Sequence, residues 1–176
     1  VIRELREAGV EELGLFYIGE SFTCRWLPEA IKEAKEVGFP YVFLTTNGSV
    51  ATPQRVFDCM NAGLDSLKFS INFQDADQLA EVAQVPGAAW SKAINNLKSA
   101  RHIRDENEFK CGIYASSIAF DGEQGKRMRA VMDELEPYVD EAYWLPLFPM
   151  SGASKSSGMT PTQGNPGRLG KMREPL

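Results

Sequence analysis

Histidine is almost missing from the 176-residue chain, and His102 is the only one. A single imidazole excludes a multi-histidine metal site and leaves little for histidine-based acid–base or nucleophilic chemistry. Cysteine is scarce as well. Cys24, Cys59 and Cys111 lie too far apart for a zinc or disulfide framework, so they read as separate, reduced, mostly buried thiols. No apolar run approaches the roughly 20 residues of a membrane span, and no signal peptide is visible. A soluble, cytoplasmic protein without a membrane partner is therefore expected. Basic excess is lacking too: 19 Lys and Arg stand against 24 Asp and Glu, for a net charge of −5. That balance speaks against nucleic acid as a partner. The chain carries no Gly-x-Ser-x-Gly elbow, phosphate loop or His-Glu-x-x-His. No catalytic side chain and no metal ligand is expected within it.

What is present is an ordinary globular composition, 43% hydrophobic and 24% charged, in a chain long enough for one real core. Helix and strand patterns alternate. Residues 1–8 end a helix at Gly9, and 13–18 form an apolar strand. Leu27, Ala30, Ile31, Ala34 and Val37 make a helical stripe behind Pro28 and ahead of Gly38. A second strand covers 41–46, and Thr52-Pro53 opens a helix carrying Val56, Phe57 and Met60. A third strand covers 67–72. Asp75 caps a short helix, and a longer one follows Val85-Pro86-Gly87 with Trp90, Ala93, Ile94, Leu97, Ala100 and Ile103 on its apolar face. A fourth strand covers 110–118. Another helix then carries Met128, Val131, Met132, Leu135 and Tyr138, and a fifth strand covers 142–148. Such alternation predicts an α/β fold with a parallel sheet and right-handed crossovers. The tail 151–176 is rich in Ser, Gly and Pro and reads as a linker.

Ligands of parallel α/β folds bind at the carboxyl ends of strands. Small polar residues recur there: Gly19-Glu20, then Thr45-Thr46-Asn47-Gly48, then Ser70 and Asn72, then Ser116-Ser117. Alternation puts Lys68, Ser70 and Asn72 on one face, opposite Leu67, Phe69 and Ile71. A face so polar predicts a wet or ligand-filled lumen. Each feature also has a structural reading. Gly19 can relieve a turn, Glu20 can cap a segment, Thr46-Asn47-Gly48 can be a plain turn, and the serines can bond to backbone. Trp26, Trp90 and Trp144 read as packing residues.

The order of these motifs resembles the radical S-adenosylmethionine (SAM) enzymes. Tyr17-Ile18-Gly19-Glu20-Ser21 stands where the family has Gly-Gly-Glu-Pro, and it keeps one glycine and the glutamate. Leu44-Thr45-Thr46-Asn47-Gly48, followed by a helix ending in Asn61-Ala62-Gly63-Leu64-Asp65, resembles the third-strand unit. Leu67 to Asn72 resembles the fourth strand. The resemblance covers residues 1–150 and implies a partial (β/α)6 TIM-like barrel whose first strand is missing from this chain. It implies SAM held by Gly19, Glu20, Thr46, Asn47, Lys68, Ser70, Asn72, Ser116 and Ser117, with backbone of 145–148 near the adenine. It also implies a 4Fe-4S cluster that cleaves SAM to a 5′-deoxyadenosyl radical, which abstracts hydrogen from a small-molecule or peptide substrate. A flavodoxin or ferredoxin would supply the electron. The family's Cys-x-x-x-Cys-x-x-Cys loop is absent here and is expected upstream of the Val1 helix, so this piece alone is expected to be inactive. The tail resembles the connection to a SPASM-type auxiliary-cluster domain. Two other readings stay open: a non-catalytic SAM- or nucleotide-binding module, and a barrel aldolase or isomerase with Lys68 as its Schiff-base amine.

Overall fold

The computed structural model describes residues 1–120 and 122–146. The expected linker (151–176) and the end of the fifth predicted strand, Leu147 and Phe148, lie outside the described residues.

Five parallel strands stand side by side in the order of the chain. They are β1 (Glu12–Gly14), β2 (Tyr41–Thr46), β3 (Ser66–Ser70), β4 (Gly112–Ile118) and β5 (Glu141–Leu145). Before β1 comes α1 (Ile2–Glu7). The crossovers carry α2 (Leu27–Glu36), α3 (Pro53–Asn61), the pair α4 (Ala76–Ala83) and α5 (Ala88–Glu106), and α6 (Gly122–Leu135). Right-handed crossovers between successive strands put these helices on one side of the sheet. Among the described residues no helix is long and apolar enough to cross a membrane.

The core lies between that helical layer and one face of the sheet. Val42 and Leu44 of β2, Leu67 and Phe69 of β3, and Ile113 and Ala115 of β4 are wholly buried there. Ile31, Val56, Leu97 and Met128 meet them from the helices. Each of these side chains larger than alanine contributes roughly 1.5–3 kcal/mol through its removal from water. The N-terminal ends of the strands are fastened by two carboxylates used in the same way. Asp65, just before β3, accepts the Val42 N–H of β2 at 2.7 Å and the Lys35 ammonium of α2 at 2.8 Å. Asp140, just before β5, accepts the Ile113 N–H of β4 at 2.8 Å and Arg104 of α5 at 2.6 and 2.7 Å.

One predicted strand is much shorter than its apolar run. The ladder of β1 ends near Leu15, whose N–H reaches Phe43 O at 3.1 Å. The Leu15 carbonyl then accepts the Ser21 hydroxyl at 2.7 Å, which turns the chain out of the sheet. Tyr17 and Ile18 are consequently 89% and 94% exposed instead of forming a covered strand. The packing expected of two tryptophans also fails, since Trp26 is 67% and Trp144 40% exposed.

Burial alone would raise the Asp140 carboxyl. The Arg104 hydrogen bonds, the Ile113 N–H and the two arginine charges outweigh it and hold the group below the usual aspartate range. A lowered folded pKa means stability present above the unfolded value, near 4, and lost as the pH falls through the folded value. Asp140→Asn should therefore cost about 1–2 kcal/mol in urea melts at pH 7, with the gap between variant and parent closing below about pH 4. A gap undiminished at pH 2 contradicts this assignment.

Candidate functional site at the carboxyl ends of the strands

The register fixes what shares the face opposite the helices. Thr45 pairs with Lys68, Lys68 with Tyr114, and Tyr114 with Glu141. One step toward the carboxyl ends, Ser70 pairs with Ser116 and Ser116 with Tyr143. Toward the amino ends lie Phe43 beside Ser66, and Glu12 beside Tyr41. Lys68 and Ser70 thus share a face as the alternation predicts, and the register adds Ser116 to it. The face is less polar than its β3 residues alone suggest. Aromatic rings make up much of this face, with Phe43 stacked on Tyr41 at 5.5 Å and touched by Phe16 at 5.4 Å. Rings leave less room for water and a lower local dielectric.

Two of the residues expected to hold SAM do not share the open face with Lys68. Thr46 and Ser117 alternate with Thr45 and Ser116, are buried, and face the helical layer. The residue that replaces Thr46 on the open face is Thr45, which stands among the polar strand-end residues but not among those expected to hold SAM. Glu20 is committed to the fold. Its Oε1 accepts the Thr46 hydroxyl at 2.6 Å and the Phe22 N–H at 3.2 Å, and its Oε2 accepts the Asn47 N–H at 2.8 Å. Gly19 is exposed, with nothing within 4 Å of a side chain placed there, so packing does not require glycine.

The loop after β2 is held rigid from several sides. Asn47 Oδ1 accepts both N–H and hydroxyl of Ser49, as in an Asx turn. Gly48 has φ of +78°, and a Cβ there would come 3.1 Å from the Ala93 backbone of α5. Only glycine allows this approach, which Asn96 Nδ2 secures by donating to Gly48 O at 2.7 Å. The plain-turn reading of Thr46-Asn47-Gly48 therefore applies to the side chain of Asn47 as far as its carbonyl oxygen is concerned.

Two cavities open from this framework. One, about 360 Å³, is a cleft at the carboxyl end of β3 between α4 and α5. Asn47, Ser49, Ser70 and Asn72 form its polar end, and Phe73, Leu79, Trp90 and Ile94 help form its apolar end. The Trp90 indole is fixed there by donating Nε1–H to Phe73 O at 3.0 Å. The other, about 280 Å³, lies on the open face between Lys68, Tyr41, Tyr114 and Tyr143, with Glu12 at its amino end and Glu141 in the register row of Lys68. Burial pushes the Lys68 ammonium below its ordinary pKa. Burial, aided by Glu141, Tyr41 and Tyr114, pushes the Tyr143 phenol up to about 12, so it stays neutral.

Three buried oxygens lack a hydrogen-bond partner among the described residues: Asn72 Oδ1, whose residue lines the cleft, and Thr45 Oγ1 and Ser116 Oγ, whose residues line neither cavity. Buried polar groups are rarely left so, because each orphan costs about 1–3 kcal/mol. A polar ligand in the cleft would satisfy Asn72 Oδ1. An iron–sulfur cluster fares differently. Among the described residues no three His, Cys, Asp or Glu side chains converge for a metal. Burial, the largest cause in each case, pushes the Cys59 and Cys111 thiols up to about 12, which suits inert thiols and not thiolate ligands. The described residues do not fit a 4Fe-4S cluster.

No family model matches the chain. Over 84 residues it is 33% identical to an S-adenosylmethionine-dependent nucleotide dehydratase from Lacinutrix mariniflava, a match covering 48% of this chain and 17% of that protein. The chain therefore spans about a sixth of the length of this curated relative. A crystal structure of a protein assigned as a phosphonomutase, from Burkholderia cenocepacia J2315, superposes with a TM-score of 0.51 at 13% identity. That likeness covers 81% of this chain and 63% of the other, and concerns the α/β fold alone.

Removing the Glu20 carboxylate should loosen the loop without dismantling the sheet. Glu20→Ala should cost about 1–3 kcal/mol and sharply speed amide exchange at Asn47, read by hydrogen–deuterium exchange. Unchanged protection of Asn47 would contradict the clamp.

Proposed function

We propose that the cleft at the carboxyl end of β3 binds S-adenosylmethionine and that the chain is the core wall of a SAM-dependent enzyme of the radical SAM type. The observation that carries this reading is Asn72 Oδ1, buried and without a hydrogen-bond partner among the described residues, in a cleft with one polar and one apolar end. SAM has that same division, with an amino-acid part and ribose at one side and a flat adenine at the other. Ser70 and Asn72 would hold the ribose or amino-acid part, and Phe73, Trp90 and Ile94 would cover the ring. The printed name of the Lacinutrix relative supports SAM as the ligand. The sequential parallel wall supports five βα units of a partial (β/α)6 barrel.

When bound, SAM supplies a sulfonium centre whose carbon–sulfur bonds are the reactive ones. The chain's own residues bind and orient. The Glu20 clamp and the Gly48 approach keep the β2 loop in place before any ligand arrives, so little ordering is left for binding. The apolar walls exclude water from the ring end of the cleft. Cluster ligands, the electron-supplying flavodoxin or ferredoxin, and the small-molecule or peptide substrate belong to this proposal for the whole protein.

Isothermal titration of the chain with SAM should give saturable binding. Asn72→Ala should weaken it about tenfold, the ordinary worth of one good polar contact. Glu123→Gln, on the exposed side of α6, should leave it unchanged. Binding that is absent, or indifferent to Asn72, overturns the reading.

A further inference from the structure

Lys68 has a fixed root and a free end. It stands at the middle of β3, the central strand of the five, and pairs with Thr45 on β2 and Tyr114 on β4. Its side chain is only partly exposed and lines the open-face cavity of about 280 Å³. That cavity shares no lining residue with the cleft between α4 and α5. Among the described residues no hydrogen bond or ion pair reaches its nitrogen, which sits 5.9 Å from the centroid of the Tyr143 ring. Lys35, by contrast, is bound to Asp65, and Lys32 and Lys126 pair with glutamates of their own helices.

A desolvated amine without a bound counter-charge favours its neutral form, which is the nucleophile. Burial accordingly lowers the Lys68 pKa. The titratable groups around it are Glu12 of β1, Tyr41 of β2, Tyr114 of β4, and Glu141 and Tyr143 of β5. The two carboxylates favour the ammonium, but neither reaches ion-pair distance, and burial outweighs them. The phenols of Tyr114 and Tyr143 are pushed up, first of all by burial, and stay neutral.

The walls suit a flat body. Tyr41, Phe43, Tyr114 and Tyr143 line the cavity. Two glycines make room for such rings: a Cβ on Gly14 would come 2.9 Å from Phe43, and one on Gly112 would come 2.7 Å from Tyr114. The Tyr41 phenol is fixed by donating to Ser66 Oγ at 2.8 Å. Rings that the backbone itself accommodates form a floor on which a planar ligand stacks.

We infer that Lys68 is a covalent capture site for a small aldehyde or ketone with a flat, apolar body, held as an imine inside this cavity. The neutral Nζ adds its lone pair to the carbonyl carbon, and the C=O π pair moves to oxygen. Both Nζ hydrogens pass to that oxygen, the C–O bond breaks, and water leaves as the C=N bond forms. No oxidant or reductant takes part. The neutral phenols of Tyr114 and Tyr143 line the same cavity and are able to donate hydrogen bonds to the departing oxygen. This activity goes beyond SAM binding and does not depend on it.

Benzaldehyde is the probe. It is added to the chain at pH 7 with sodium cyanoborohydride, which reduces an imine to a stable benzylamine, and the adducts are located by peptide mass spectrometry. Lys92 and Lys126, both exposed, are the internal references. Lys68 should be benzylated at least tenfold faster than either, since each unit of lowered pKa gives about ten times more free amine. Its rate should level off with rising benzaldehyde, as for a bound ligand, while the reference rates rise in proportion. Lys68→Arg, its folding checked by thermal unfolding, should erase the fast adduct and leave Lys92 and Lys126 labelled as before. The parent's own rates decide the matter even if that variant fails to fold. Labelling of Lys68 at or below the reference rate, or a rate that never saturates, overturns the inference. Failure of SAM to bind bears only on the proposed function.

Discussion

Register is the constraint on which the site depends, and two aspartates hold it. A one-residue slip of a strand exchanges its two faces. In β3 such a slip would drive Lys68 into the helical layer and turn Phe69 out to the open face. Asp65 prevents this by gripping the start of β2 and the helix behind it together, at 2.7 and 2.8 Å. Asp140 does the same between β4 and α5. Both act at the amino ends of the strands, where a parallel α/β fold keeps its stability functions. The carboxyl ends are thereby free to carry polar residues that add little to the fold.

The carboxyl ends bear this out in their use of hydrogen bonds. Glu20 is fully engaged in joining the loop after β1 to the loop after β2. Thr45, Asn72 and Ser116, in contrast, hold buried oxygens that nothing in the described residues satisfies. The fold thus satisfies its polar groups at Asp65, Asp140 and Glu20 and leaves these three oxygens without partners among the described residues, and the proposed ligand binding rests on that difference.

The sequence makes the order of helices and strands plain, because most helices have an apolar stripe and clear stops, and most strands an apolar run. Faces are legible only where one of them is polar. In β3, Lys68 and Ser70 alternate with Leu67 and Phe69, so the open face can be read directly. In β2 both faces begin apolar, Tyr41 and Phe43 against Val42 and Leu44, and nothing local tells Thr45 from Thr46. The pairing of Thr45 with Lys68 decides it. Ser116 and Ser117 present the same ambiguity, resolved by the pairing of Ser116 with Ser70. The aromatic lining escapes periodicity for the same reason: Tyr41, Tyr114 and Tyr143 look like ordinary strand residues until their faces are known. The early end of β1 is set by a single hydroxyl, Ser21 on the Leu15 carbonyl, which no apolar pattern records.

The central claim is that the cleft between β3, α4 and α5 is where SAM binds. Mapping the amide and indole shifts of ¹⁵N-labelled chain during titration with SAM tests it most directly. The account predicts saturable shifts confined to the Asn47–Ser49 loop, Ser70 to Phe73 and the Trp90 indole. Shifts centred on the outer faces of α2 or α6, or none at millimolar SAM, would contradict it.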